Sequence, residues 1–181
     1  MRVYREGFVD SLVLWFTNLY VHVRFARHVA RFRRRVGYWP NPAIPVRYHE
    51  KMLWRKIFDR DPRFEVFCDK LATKALLADL NPDLPLPATL WTGDDPGAIP
   101  PGTQVGAALL KASHGCNYSV RIPEGTEPST TSREITDAWL AEPWGVELME
   151  WGYHRVPRTL LLEAELPSTP QSPLLLSLIH I

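Results

Sequence analysis

Cysteine is scarce in this sequence. The two thiols, Cys68 and Cys116, are too few for a disulfide framework and show no metal-ligand spacing, so a stapled secreted scaffold and a zinc module are both excluded. A reducing, cytoplasmic setting is the expectation. Uninterrupted apolar runs near the N-terminus are missing too. The stretch from Phe8 to Phe25 is broken by Asp10, Asn18, His22 and Arg24, whereas a spanning helix wants about 20 mostly apolar residues. No short charged segment leading to a small-residue cleavage site accompanies it, so no export leader is read. Internal repeats are absent as well.

What is present is ordinary in bulk and uneven in detail. Hydrophobic residues make up 45% and charged residues 23% of the 181 positions, the composition of a globular chain of one domain or two small ones. The 17 prolines gather in connecting stretches. The net charge of +1 hides an asymmetry. Residues 1–35 hold eight arginines against Glu6 and Asp10, leaving a mildly acidic remainder.

The spacing predicts one long helix over 8–35, with Leu12, Trp15, Phe16, Leu19, Val23, Ala26 and Ala30 as an apolar stripe. Arg24, Arg27, Arg31 and Arg34 recur on the other side, and Gly37 and Pro40 end the run. Two readings of this helix stand open. It packs on its own protein or a missing segment with a solvated basic face, or it rests as a peripheral helix on an anionic membrane. Nucleic acid is not an expected partner, since no stacking aromatics accompany the basic stripe.

A proline-rich connector (40–47) leads to helices at about 48–58 and 62–80. In the second, Phe64, Phe67, Leu71, Ala75 and Leu76 are the expected buried face, with Lys70 and Lys74 one turn apart. The stretch 84–91 reads as a short strand and 92–104 as turns. Residues 105–122 read as a hairpin with its tip at Gly115, 134–142 as a helix capped by Thr131 or Ser132, and 159–166 as a buried strand. The fold class is therefore α+β. The expected divisions are a basic helix (1–39), a helical linker segment (40–104), a lid and nucleotide-binding subdomain (105–166) and a tail (167–181). That tail ends in the exposed apolar run LLLSLIHI, resembles translated adapter sequence, and is expected to be non-native.

Lys111 is the residue with most chemical content. It interrupts an apolar strand, where an unpaired charge is costly, so an acidic or phosphate partner is expected. His114, in a polar turn, is read as structural rather than as an acid or base, and Cys116 lacks the orienting group a nucleophile needs. Glu150, Trp151 and Tyr153 are open to two readings, acceptor contacts or packing.

Three pieces stand in order: DKLATKALLADLNPDLPLPATL (69–90), ALLKASHGCNYSVRI (108–122) and TLLLEAEL (159–166). This succession resembles the nucleotide half of the ATP-grasp superfamily, with its DKxxxK helix, proline-flanked strand, lysine-bearing lid hairpin and hinge strand. Within it the chain is most similar to the TupA-like group, on EKMLWRKIFDRDP (50–62), the lid strand, EWGY (150–153) and Pro157-Arg158. The lid sequence HGCNYS departs from the glycine-rich run of that group.

The resemblance implies ATP as ligand. Lys111 and Lys74 would contact its phosphates, His114, Gly115, Cys116 and Asn117 would fold over them, and backbone groups of Glu163, Ala164, Glu165 and Leu166 would meet the adenine edge. Leu109, Leu161 and Leu166 would be apolar walls. It implies an ATP-dependent carboxylate–amine ligase joining a polysaccharide-linked carboxylate acceptor to an amine donor, in the cytoplasm or at the inner face of the membrane. The magnesium ligands and the transition-state arginine would come from strands after the hinge, in a second half of the grasp that is expected to be missing, so no metal ligand and no catalytic residue is assigned. Two other classes compete. One is an inactive nucleotide-binding or scaffold module. The other is a glycosyltransferase-type enzyme, which needs an Asp-x-Asp site where this chain offers only Asp94-Asp95 in a turn.

Overall fold

The computed structural model describes residues 8–104, 106–130 and 133–166. The expected tail and the cap residues Thr131 and Ser132 lie outside the described residues. Contacts divide the chain into two compact units. Unit 1 runs to Asp61 and takes in Glu147–Glu150, while unit 2 comprises Pro62–Val146 and the chain from Trp151 onward. The expected divisions at 39/40 and 104/105 fall inside these units.

Unit 1 holds α1 (Phe8–Arg24), α2 (Ala26–Val36) and α3 (Tyr48–Phe58). The single helix expected over 8–35 is thus two. Phe25 leaves helical geometry at φ −116°, ψ 32°, and its ring packs against a core of Val21, Val29, Leu53 and Ile57. Tertiary packing overrides a periodicity that continues through the break. Gly37 closes α2 in the left-handed conformation, φ 91°, with its N–H on the Arg33 carbonyl at 3.0 Å. The connector 40–47 is held by the buried Glu50, whose carboxylate accepts the N–H groups of Asn41 (2.9 Å), Val46 (3.1 Å) and Arg47 (2.9 Å). Burial by itself would raise the Glu50 pKa, but these backbone donors prevail and hold it below the ordinary carboxylate value.

Unit 2 contains α4 (Arg63–Cys68), α5 (Lys70–Leu80), β1 (Thr89–Gly93), β2 (Ala108–Ala112), β3 (Ser119–Ile122), α6 (Arg133–Ala141) and β4 (Leu160–Ala164). The helix expected over 62–80 breaks at Asp69. That residue is extended and caps α5, its carboxylate accepting the Leu71 N–H at 2.9 Å. Phe67 and Ala75, expected inside, are exposed, and α4 and α5 have no fully buried residue. The strand expected over 84–91 begins only at Thr89, because Pro85 and Pro87 cannot donate to a ladder.

The four strands form one sheet in the order β1-β4-β2-β3, every pair antiparallel. The expected hairpin is β2–β3, and the expected final strand is β4 at the centre beside it. Ala108, Leu110, Ala112, Leu160 and Leu162 turn to one face and join Ile99 and Ile122 in the core, against which Trp139 and Leu140 of α6 pack. Among the described residues, no helix is long and apolar enough to cross a membrane.

Candidate anion site at the sheet and helix α5

Strand alternation fixes the site. With Leu110, Leu160 and Leu162 committed to the core, their neighbours Leu109, Lys111, Leu161 and Glu163 must point to the opposite face. The register sets Leu109 against Glu163 and Lys111 against Leu161, so Lys111 and Glu163 are diagonal neighbours. The Lys111 ammonium donates to Glu163 Oε2. From α5, Lys74 donates to Glu163 Oε1 at 2.7 Å and also to the Pro87 carbonyl. Glu163 itself is buried, at 6% exposure.

Burial pushes the Glu163 carboxyl up, but the Lys111 and Lys74 ammonium groups outweigh it and hold its pKa below the ordinary value. It is therefore ionised at neutral pH. Two ammonium groups share one carboxylate, which leaves an excess of positive charge. Each ammonium has three N–H donors, and among the described residues Lys74 uses two and Lys111 one.

Lys70 has a different task. Its ammonium donates to the carbonyls of Ala112 (2.7 Å), Ser113 (3.5 Å) and Gly115, and its backbone N–H meets the Ser113 carbonyl at 3.1 Å. It ties the first turn of α5 to the turn of the hairpin. Burial, then the nearby Lys111 charge, lowers its pKa below that of a free lysine. Ser113 is fixed in turn by its hydroxyl on the Pro157 carbonyl at 2.7 Å and its N–H on the Thr159 carbonyl at 2.8 Å.

The structure brings Lys74, Lys111 and Glu163 together and disperses the other expected residues. His114 does not lie over the site. Its ring is fully buried, donates from Nε2 to the Trp139 carbonyl at 2.8 Å and meets Tyr118 edge-on. Its Nδ1 has no hydrogen-bond partner among the described residues, and burial lowers its pKa. Gly115 is pressed on Tyr118 so closely that a Cβ would lie 2.6 Å from the ring. Cys116 is exposed. Asn117 takes φ 64°, the left-handed geometry that asparagine tolerates.

The adenine-edge expectation also changes. The N–H groups of Ala164 and Glu165 are engaged by the carbonyls of Ala88 and Ala107 at 2.9 Å each. Leu161 is fully buried and Leu166 is exposed. Glu165 instead receives the Arg121 guanidinium through three contacts of 2.7–3.0 Å. Glu150 pairs with Lys56 at 3.3 Å inside unit 1, and Trp151 packs edge-on against Phe64 in unit 2. Asp95 caps a short 3-10 turn and pairs with Arg133, a structural use of that acid.

The side-chain role of Glu163 and the clamp by Lys70 escape a motif-based reading. A signal for Glu163 exists in the sequence, since a carboxylate in LLLEA needs a partner by the same argument that singles out Lys111. Among the described residues, no group of three or more His, Cys, Asp or Glu is placed to hold a metal ion. Comparison with known proteins finds no matching family model, no matching curated protein and no matching solved structure.

Proposed function

We propose that this chain binds the polyphosphate of ATP at Lys74 and Lys111, as the nucleotide-binding part of an ATP-dependent carboxylate–amine ligase. One observation carries the reading. Two lysines from elements far apart in sequence converge on a single buried carboxylate, with positive charge left over. A strand lysine and a helix lysine meeting near the turn end of a hairpin suit a phosphate group, which takes charge-assisted hydrogen bonds from ammonium donors. Glu163 holds both ammonium groups in position.

In the ligase reading, the terminal phosphoryl of ATP passes to a carboxylate, giving an acyl phosphate and ADP. An amine then attacks the acyl carbon, forming the amide and releasing phosphate. Lys74 and Lys111 would bind and orient phosphate oxygens and offset their charge. The described residues do not supply a magnesium site, because Glu163 is already held by two lysines and no group of three or more His, Cys, Asp or Glu is placed to hold a metal. The polysaccharide-linked acceptor and the amine donor rest on the family resemblance.

Calorimetric titration of the protein carrying this sequence with ATP tests the reading. Lys111→Met is expected to weaken binding by about 1.5–3 kcal/mol, roughly ten- to a hundredfold in Kd, while Cys116→Ala leaves it unchanged. Equal affinity in the Lys111 variant and the parent protein would sink the assignment.

A further inference from the structure

Helix α1 is docked the unexpected way round. At 100° per residue, Val9, Leu12, Val13, Phe16, Leu19, Tyr20 and Val23 fall within an arc of about 120°, with Trp15 about 40° beyond its edge. An apolar stripe of this kind ordinarily faces the core. Here it faces outward, from 42% exposure at Leu12 to 70% at Val9 and Val23, with Trp15 and Phe16 at 58% and 59%.

The side turned to the body of unit 1 is the more polar one. Val21 is buried there. Asn18 donates to Asn41 Oδ1 at 2.8 Å and accepts the Ala43 N–H at 3.0 Å. The docking of α1 thus uses its amide side chain and leaves its aliphatic and aromatic face largely exposed, with Tyr20 meeting Phe25 edge-on at one end.

Charge identifies what covers that face. Between Asp10 and Glu50 there is no acidic residue, while seven arginines occur: Arg24, Arg27, Arg31, Arg33, Arg34, Arg35 and Arg47. Four of the five arginines in α2 lie on the side away from its buried Val29. An apolar arc carrying Tyr20, with Trp15 just outside its edge, set beside a one-signed basic segment, matches the boundary between acyl chains and anionic headgroups. An acidic protein surface would answer the arginines alone, whereas the aromatics at the rim of the stripe favour a lipid boundary. No described helix is long and apolar enough to span a membrane, so only a seat in the interface plane suits this stripe. We infer that α1 is a peripheral membrane anchor, seated by its Val9–Val23 stripe on an anionic lipid surface with the arginines of α1 and α2 at the headgroups. This inference is independent of the nucleotide reading.

Co-sedimentation with lipid vesicles tests it. The intact chain is expected to pellet with vesicles of equal parts phosphatidylcholine and phosphatidylglycerol and to stay in solution with phosphatidylcholine alone. The triple variant Arg33→Gln, Arg34→Gln, Arg35→Gln is expected to lower partitioning about a hundredfold. The double variant Phe16→Ser, Val23→Ser should abolish binding at high salt, where the charge contribution is screened. Should a variant lose its folded near-UV signal, amide exchange in the unmodified chain decides, since α1 amides are expected to slow only when anionic vesicles are added. Three results would overturn the proposal. They are absence of binding to the anionic vesicles, α1 amides already protected and unchanged by lipid, and a dimer that the serine variants convert to monomer.

Discussion

Glu163 is the residue on which the site turns, and its environment makes it testable by acid. Its pKa is below the ordinary value in the fold, although burial opposes this, because Lys111 and Lys74 favour the charged form. The unfolded chain binds its proton first as pH falls, so the stability it contributes is present above the ordinary carboxylate pKa and is lost as pH drops through the folded value. Glu163→Gln is therefore expected to destabilise the chain at neutral pH, by about 1–3 kcal/mol for leaving two half-buried ammonium groups without their counter-charge. It should also flatten the acid limb of the stability curve, and urea midpoints measured from pH 7 down to pH 3 check both. An unchanged midpoint at pH 7 would mean that the lysines find water as readily as carboxylate. Glu50 acts with the same sign in unit 1 through its backbone donors, as do the exposed Asp95 and Glu165 through their arginines, so a residual acid limb in Glu163→Gln is expected. The buried His114 adds in the same direction at higher pH, because its lowered pKa keeps it neutral in the fold while the unfolded chain takes up a proton below about 6.5.

Among the elements, the turn between β2 and β3 is tightly constrained. Tyr118 stacks on Trp139 at 5.6 Å and takes Trp144 edge-on at 4.8 Å, so its ring has no room to yield to a side chain at position 115. Gly115→Ala is expected to cost about 1–3 kcal/mol through overpacking, read as a fall in the urea midpoint at constant m value, whereas Cys116→Ala at the exposed neighbour should be neutral. The hairpin, the central β4 and the α6 helix were legible from the sequence, because a lysine-ended apolar strand, a small-residue turn and a polar-flanked helix each carry a local signal. The breaks at Phe25 and Asp69 were not. Both lie inside continuous apolar periodicities, and what interrupts the helix is a ring packing on the core in one case and a capping carboxylate in the other. For the site, the sequence pointed to Lys111 through the cost of its burial and to Lys74 only through the family resemblance. For His114 the residue-level reading was structural, but a turn residue at a polar position gave no hint of the Trp139 carbonyl that receives it. The outward face of α1 was equally hidden, because periodicity shows that a stripe exists and not which way it is turned.

At the scale of the whole molecule, charge and chain path follow the two units. Unit 1 carries thirteen Lys and Arg against seven Asp and Glu, and unit 2 eight against thirteen. The lysine site thus lies in the acidic unit, and attraction of a phosphate to it is local rather than a property of the unit's net charge. The chain path has its own consequence. Unit 1 is completed by Glu147–Glu150, where Met149 packs on the Val21–Ile57 cluster, Lys56 donates to the Leu148 carbonyl at 3.1 Å and His28 meets the Glu147 carbonyl at 3.1 Å. A fragment of residues 1–61 is expected to show helical far-UV signal without a cooperative thermal transition. A sharp transition in that fragment would show residues 147–150 to be dispensable. During synthesis, N-terminal segments ordinarily finish folding first, at a pace of about 5–20 residues per second. This one must wait for more than eighty further residues to leave the ribosome before Met149 arrives. For those several seconds its arginines and outward aromatic stripe stand on an unfinished core, and a nascent chain in that state is a natural client for chaperones.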